Sequence, residues 1–300
     1  VQVTGLSDVV AVSAGSEFSL ALVRDGTVWS WGLKHLGQLG DGTTADRLSP
    51  ARASTPTGIT AISAGSDHAL ALRGDGSVWA WGGNEEGTIG DGTTSDRPTP
   101  TAVAGITGAA AVSAGNHHST VVKSDGAVLA WGRNSEGQLG DGTLAGRTRP
   151  VGARGLPRVT AIAAGGDHTV ALASDGTVWS WGANWGMQLG DGSSEDRSTP
   201  GPLAEVTRMT AVSAGYGHTL AARDDGTVWA WGNNDDGQLG DGTTASRSRP
   251  TVVLREEGAG TIATNDWFLH LDPATAASIP SSAVPVFLLV ANPTANDITA

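Results

Sequence analysis

The stretch WSWGLKHLGQLGDGTTADRLSP at residues 29–50 returns, little changed, at 79–100, 129–150, 179–200 and 229–250, a spacing of 50 residues that does not drift. A period of that length marks one supersecondary unit copied in tandem, each copy burying its apolar surface against the next. The chain is therefore an array of like units, and its chemistry has to be read inside one of them.

The second unit shows the internal order. Ile59 to Ala64 is a short apolar run closed by Gly65; HALALR follows and ends at Asp75-Gly76; SVWAWG is a third run of strand formers. Asp-Gly between two apolar runs predicts a two-residue type I′ hairpin, and the pair recurs as Asp25-Gly26, Asp125-Gly126, Asp175-Gly176 and Asp225-Gly226. After a polar, Gly-rich stretch, Pro100 is expected to open a fourth, outer strand, where a missing ladder donor is tolerated. Four short strands per unit predict an all-β chain, a β-propeller of four-stranded blades. Val78 and Trp79 point to opposite faces of one strand and are both apolar, so each sheet must be sandwiched between two neighbours. The small residues of AVSAG and AISAG suit the crowded innermost strand.

Complete repeats are placed at about 7–56, 57–106, 107–156, 157–206 and 207–256, in one propeller over 1–300. A degenerate closing unit at 257–300, in which Trp267 would pack, is expected to borrow its fourth strand from residues 1–6. This makes six blades, with a seven-bladed ring or a fragment of one as the alternative.

Composition excludes several partners. The net charge is −12, and 18 Lys and Arg stand against 30 Asp and Glu. Lys34 and Lys123 are the only lysines, so no basic stripe exists to neutralise phosphates, and nucleic acid is not expected as a partner. Membrane insertion is not expected either, because the apolar run VPVFLLVA at 284–291 is too short to span a bilayer. There is no Cys, which removes disulfides and thiolate metal sites. VQVTGLSDVV lacks an initiating Met and a charged leader, so the chain reads as a processed or excised portion. Low Lys and the Gly/Ala/Thr-rich repeat suggest an extracellular or cell-surface bacterial protein, monomeric on the expectation of a self-contained ring.

The run AGSDHALALRGDGSVWAWGGNEEGTIGDGTTSDRPTP resembles the repeat of the regulator of chromosome condensation family, and the likeness extends over all five units. The resemblance implies a β-propeller, usually of seven blades, and little about activity. The family's founder, a nucleotide exchange factor for a small GTPase, uses an inserted β-wedge; the units here are equal in length, so that activity is not carried over. Plant UV-B photoreceptors of this architecture carry Trp in a GWRHT-like motif, whereas the matching stretches here are GSEFS, GSDHA, GNHHS, GGDHT and GYGHT. A secreted bacterial β-lactamase inhibitor of related architecture indicates that such rings can bind proteins outside the cell.

Residues present in every unit are expected to build the blade. Trp29, Trp31, Trp79, Trp81, Trp131, Trp179, Trp181, Trp229 and Trp231 lie on the W-x-W-G template and read as packing. His68, His118, His168 and His218 share one position, taken by Phe18 in the first unit; blades rotate them around a ring, so a hydrogen bond to neighbouring backbone is expected, not a shared metal. A metal-dependent enzyme using His117, His118 and Asp167 is the least favoured reading. Arg47, Arg97, Arg147, Arg197 and Arg247 recur in the GDGTTADR turn and predict a bidentate structural pair there. The Ca²⁺-loop pattern and the Walker lysine are missing from these turns, and AVSAG, which approaches a nucleophile elbow, leads into a strand where that motif needs a strand-to-helix turn. No cofactor is expected.

Variable stretches after the third strand, with a second set after the first, are the candidate binding residues: Lys34, His35, Glu85, Glu86, Glu136, Trp185, Tyr216, Asp235 and Asp236. A constant core presenting varied acidic loops predicts a non-catalytic module that recognises a protein, a basic one by charge. A glycan-binding propeller using Trp185 is the alternative.

Overall fold

A computed structural model describes residues 3–254. Within them lie five antiparallel four-stranded sheets, each using consecutive strands in sequence order. The first comprises β1 (Val9–Ala14), β2 (Phe18–Val23), β3 (Val28–Gly32) and β4 (Arg47–Arg52); the second comprises β5 (Ile59–Ala64), β6 (His68–Arg73), β7 (Val78–Gly82) and β8 (Arg97–Ala102). The later sheets start with β9 (Ala109–Ala114), β13 (Val159–Ala164) and β17 (Met209–Ala214). Each of these first strands touches the first strand of the next sheet: β1 against β5, β5 against β9, β9 against β13 and β13 against β17. The Ala- and Ser-rich strands therefore line the axis, as their small volume requires.

The cores sit between sheets. Phe18, Leu20, Leu22, Val28 and Leu39 of the first blade pack with Ile59, Ala69, Ala71 and Trp81 of the second. Leu70, Leu72, Val78 and Ile89 of the second pack with Ala109, Val121 and Trp131 of the third. Trp81, Trp131, Trp181 and Trp231 are wholly buried, and each belongs to the cluster shared with the preceding blade. Trp31, in the first described blade, is half-buried, as are Trp29, Trp79, Trp179 and Trp229. Each of these four precedes its partner Trp by two residues on the same face of the third strand, and Trp79, Trp179 and Trp229 pack against the same clusters.

Two details of the hairpins differ from the sequence expectation. At the Asp-Gly turn only Gly26 takes a positive φ, of 79°, while Asp25 does not. Gly26 N–H donates to the Val23 carbonyl at 2.8 Å and Val23 N–H to the Thr27 carbonyl at 2.9 Å. This is a type I turn completed by a left-handed glycine, not a I′ turn. The reason is local: Asp25 accepts from Thr27 N–H and from its hydroxyl, at 2.9 and 2.7 Å, which holds Asp25 right-handed. The outer strand also starts earlier than Pro100, at Arg97. Ala80 pairs with Thr101 and Gly82 with Arg97, so the outer strand carries extra residues at a bulge, and Pro100 sits in it without breaking the ladder.

The closing unit 257–300 and Trp267 lie outside the described residues, as do residues 1–2 of the expected closing strand 1–6. Residues 3–7 are not in a strand.

Candidate recognition face

The turn between first and second strands and the long loop between third and fourth strands emerge at the same end of every blade. In blade one the two are tied together by Leu33 N–H donating to the Glu17 carbonyl at 2.8 Å. The bond recurs as Gly83 to Asp67, Arg133 to His117, Ala183 to Asp167 and Asn233 to Gly217, each at 2.8 Å. Both variable sets therefore share one face. His35, Glu85, Glu86, Trp185, Tyr216, Asp235 and Asp236 are exposed on it, and Glu136 is half-buried. Arg133 there is engaged by Glu136 at 3.4 Å. The opposite ends of the blades hold Arg24, Arg73, Lys123, Arg158, Arg208 and Arg223 beside their turn carboxylates. The loop face also holds Arg47, Arg97, Arg147, Arg197 and Arg247, but these sit beside loop aspartates, which leaves its exposed variable residues mainly acidic.

Lys34 corrects the sequence reading. It is not presented to solvent but wholly buried, its ammonium paired with Asp41 and 2.5 Å from the Thr43 hydroxyl. The position points inward, and the other four units fill it with Asn84, Asn134, Asn184 and Asn234. In unit three Asn134 Oδ1 accepts from Leu139 N–H at 3.0 Å, while its Nδ2 donates to the Thr143 and Ala145 carbonyls, each at 3.0 Å. One amide thus folds the whole loop around itself. Sequence reasoning passed over these asparagines, although four of five units carry them, which is the signal that marks a structural residue.

The recurrent arginines close the same loop. Arg47, Arg147 and Arg247 each bring two guanidinium nitrogens to one oxygen, Oδ2, of Asp41, Asp141 and Asp241. Arg97 sits likewise on Asp91. Both nitrogens meet a single oxygen because Oδ1 is occupied by the Thr43-type hydroxyl and amide, as in Asp41 at 3.0 and 2.9 Å. The expected bidentate fork is thereby replaced by a convergent one. Arg197 departs further, standing 3.8 Å from Asp191 and donating to the Ser180 carbonyl at 3.1 Å.

The histidines bind side chains, not backbone. His68 Nε2 lies 2.9 Å from the Ser119 hydroxyl of the next blade, His118 Nε2 2.9 Å from Thr169, and His168 Nε2 3.1 Å from Thr219. Each hydroxyl donates onward at 2.9 Å, to the carbonyl of Thr88, Gln138 or Gln188. With its proton spent there the hydroxyl can only accept from the imidazole, which fixes the Nε2–H tautomer. Trp131, Trp181 and Trp231 donate to the same three carbonyls, at 2.7, 2.9 and 2.9 Å. Burial holds the three imidazoles down at a pKa of about 3, so they are neutral. At the first interface both partners change together: Phe18 replaces the imidazole and Ala69 the hydroxyl, and the two lie in one apolar cluster. His118, being engaged in this way, is not free to join His117 and Asp167 at a metal. Among the described residues no group of three His, Asp or Glu converges. Asp167 accepts from Gln138 at 3.1 Å, and its burial raises its pKa.

Trp185 and Tyr216 are brought together from adjacent blades, with ring centroids 5.6 Å apart and planes tilted by 55°.

Sheets arranged radially, interlocked by indoles, with one loop-bearing face, define a repeat β-propeller. The RCC1-like domain family matches residues 8–268, and the chain belongs to it. Solved structures agree. Human WBSCR16 superposes with a TM-score of 0.75 at 24% identity, over 83% of this chain and 67% of its own. Prp20p of Saccharomyces cerevisiae, described together with its binding to Gsp1p and histones, gives 0.73 at 25% identity, over 83% of this chain and 64% of its own. The same yeast protein, solved bound to Kap60, is matched over 61% of its length. The chain thus spans about two thirds of the proteins it superposes on.

Proposed function

We propose that the chain is a non-catalytic recognition module whose loop face holds a basic protein. One observation carries this reading: the variable residues that follow the first and third strands share one face of the scaffold, and the exposed charged ones among them are mainly acidic. Loops on a rigid support vary at little cost to the fold, whereas a carboxylate-rich face attracts cationic surfaces and rejects anionic ones. Binding of Gsp1p, histones and Kap60 by the relative Prp20 supports a protein as the partner. An extracellular or cell-surface location, and a monomeric state, belong to the same proposal.

The test is affinity capture from the source organism's extract at low and high salt, with wild type and an Asp235→Arg/Asp236→Arg variant. A partner retained at low salt by the wild type alone is expected. Equal capture by both proteins would refute the reading. The exposed aromatic pair also favours a second reading, glycan binding, which a glycan array without hits would dismiss.

A further inference from the structure

We propose that Trp185 and Tyr216 form the anchor for a cationic side chain, an arginine or lysine, of that partner; the inference rests on the loop-face reading and locates its centre. Both residues break the repeat. The position of Trp185 holds His35, Glu85, Ser135 and Asp235 elsewhere, and that of Tyr216 holds Ser16, Ser66, Asn116 and Gly166. Two large rings, one from each of two neighbouring blades, meet at 5.6 Å and remain 54% and 41% exposed. The nine template indoles that pack the blades are buried or half-buried, so these two rings stand more open than any of them.

The surroundings are altered to admit them. Gly217 stands where the other units have Glu17, Asp67, His117 and Asp167, and a Cβ there would lie 2.7 Å from Trp185 Cη2. Met187 takes φ 65° at a place where Gly37, Gly87, Gly137 and Gly237 supply the left-handed residue. Gln138 donates its amide to Asp167 at 3.1 Å, whereas the equivalent nitrogens of Gln188 and Gln38 are buried without a partner. A left-handed side chain and a missing one both accompany this aromatic pair, and neither improves the blade.

The local charge selects the occupant. Asn233, whose Cβ would stand 3.2 Å from a Cβ on Gly186, donates to Asp235 at 2.8 Å and so fixes that exposed carboxylate in the adjoining loop. No Lys or Arg occurs in 183–188, 214–218 or 233–238. A tilted pair of electron-rich ring faces, on loops without a cation and next to the loop that carries Asp235 and Asp236, suits a guanidinium or ammonium group.

The probe is a fluorescein-labelled nona-arginine peptide, titrated against the full chain by anisotropy, with nona-glutamate as control. Trp185→Ala is expected to weaken nona-arginine binding about 5-fold or more, and Trp185→Phe to recover part of the loss, the order that cation–π attraction gives. Thermal melting should be unaffected, since the indole is largely exposed. Equal affinity in Trp185→Ala and wild type would overturn the anchor. If Asp235→Asn/Asp236→Asn lost the peptide in that event, the acidic-face reading would stand without it. No binding of nona-arginine by wild type, or competition only by neutral oligosaccharides, would also overturn it.

Discussion

Acid should open this propeller at its blade interfaces. His68, His118 and His168 are fully buried and held neutral, with pKa values of about 3 against the ordinary 6.5. Between these values the unfolded chain takes up protons that the native interface refuses. The stability is therefore complete above pH 6.5 and is lost as pH falls toward 3. At about pH 5 each imidazole costs about 2 kcal/mol, from about 1.4 kcal/mol per pH unit. Three together cost about 6 kcal/mol, comparable with the whole stability of a typical domain. The informative variant is His118→Phe/Thr169→Ala, which copies the Phe18 and Ala69 pairing of the first interface. Gln138 keeps its Trp181 donor at 2.9 Å, and removal of both polar partners should cost little near neutral pH. Urea denaturation between about pH 4.5 and 6 should give a slope of stability on pH that is steeper in wild type than in the variant by about 1.4 kcal/mol per unit. Burial also lowers the pKa of His218 and raises those of Asp167 and Asp196, but these groups are common to both proteins and cancel in the difference. Identical slopes would refute the claim that these imidazoles stay neutral in the native state.

Four other substitutions test three separate parts of the structure. Lys34→Asn should restore the amide bracket of the other units and raise stability by about 1–2 kcal/mol, read as a higher urea midpoint. Trp181→Ala should cost about 3–5 kcal/mol, because it empties a core position and removes one of the two donors to the Gln138 carbonyl. Trp179→Ala, at the half-buried position two residues earlier, should cost less than half as much in the same assay. Met187→Gly should gain about 1 kcal/mol in thermal or urea unfolding, the relief of a left-handed side chain less the entropy of glycine.

The blade was legible because its physics is local. Alternation in HALALR, the Asp-Gly turns and the double Trp strand each report a neighbour close in sequence, and the 50-residue period told how copies stack. Turn type was harder: Asp-Gly serves I′ and bulged type I turns alike, and the Thr27 hydroxyl decided between them. Lys34 misled because a charged residue in a variable loop looks exposed; its burial depends on Asp41 and Thr43, seven and nine residues on. The histidine partners lie 51 residues away, one repeat plus one position, so no pattern inside a single unit reveals them. The meeting of Trp185 with Tyr216 was hidden for the same reason, although both were singled out separately as departures from the repeat.

The carbonyls of Thr88, Gln138 and Gln188 each take an indole and a hydroxyl from the following unit, at sequence distances of 43 and 31 residues. Every copy is consequently a plug on one side and a socket on the other, cut to a common gauge. A gene encoding such a chain can gain or shed copies by unequal recombination without redesigning a joint, provided each event moves one full period. Ring size becomes a quantity that replication slippage can tune, while the ornament on each copy's rim is free to diverge alone.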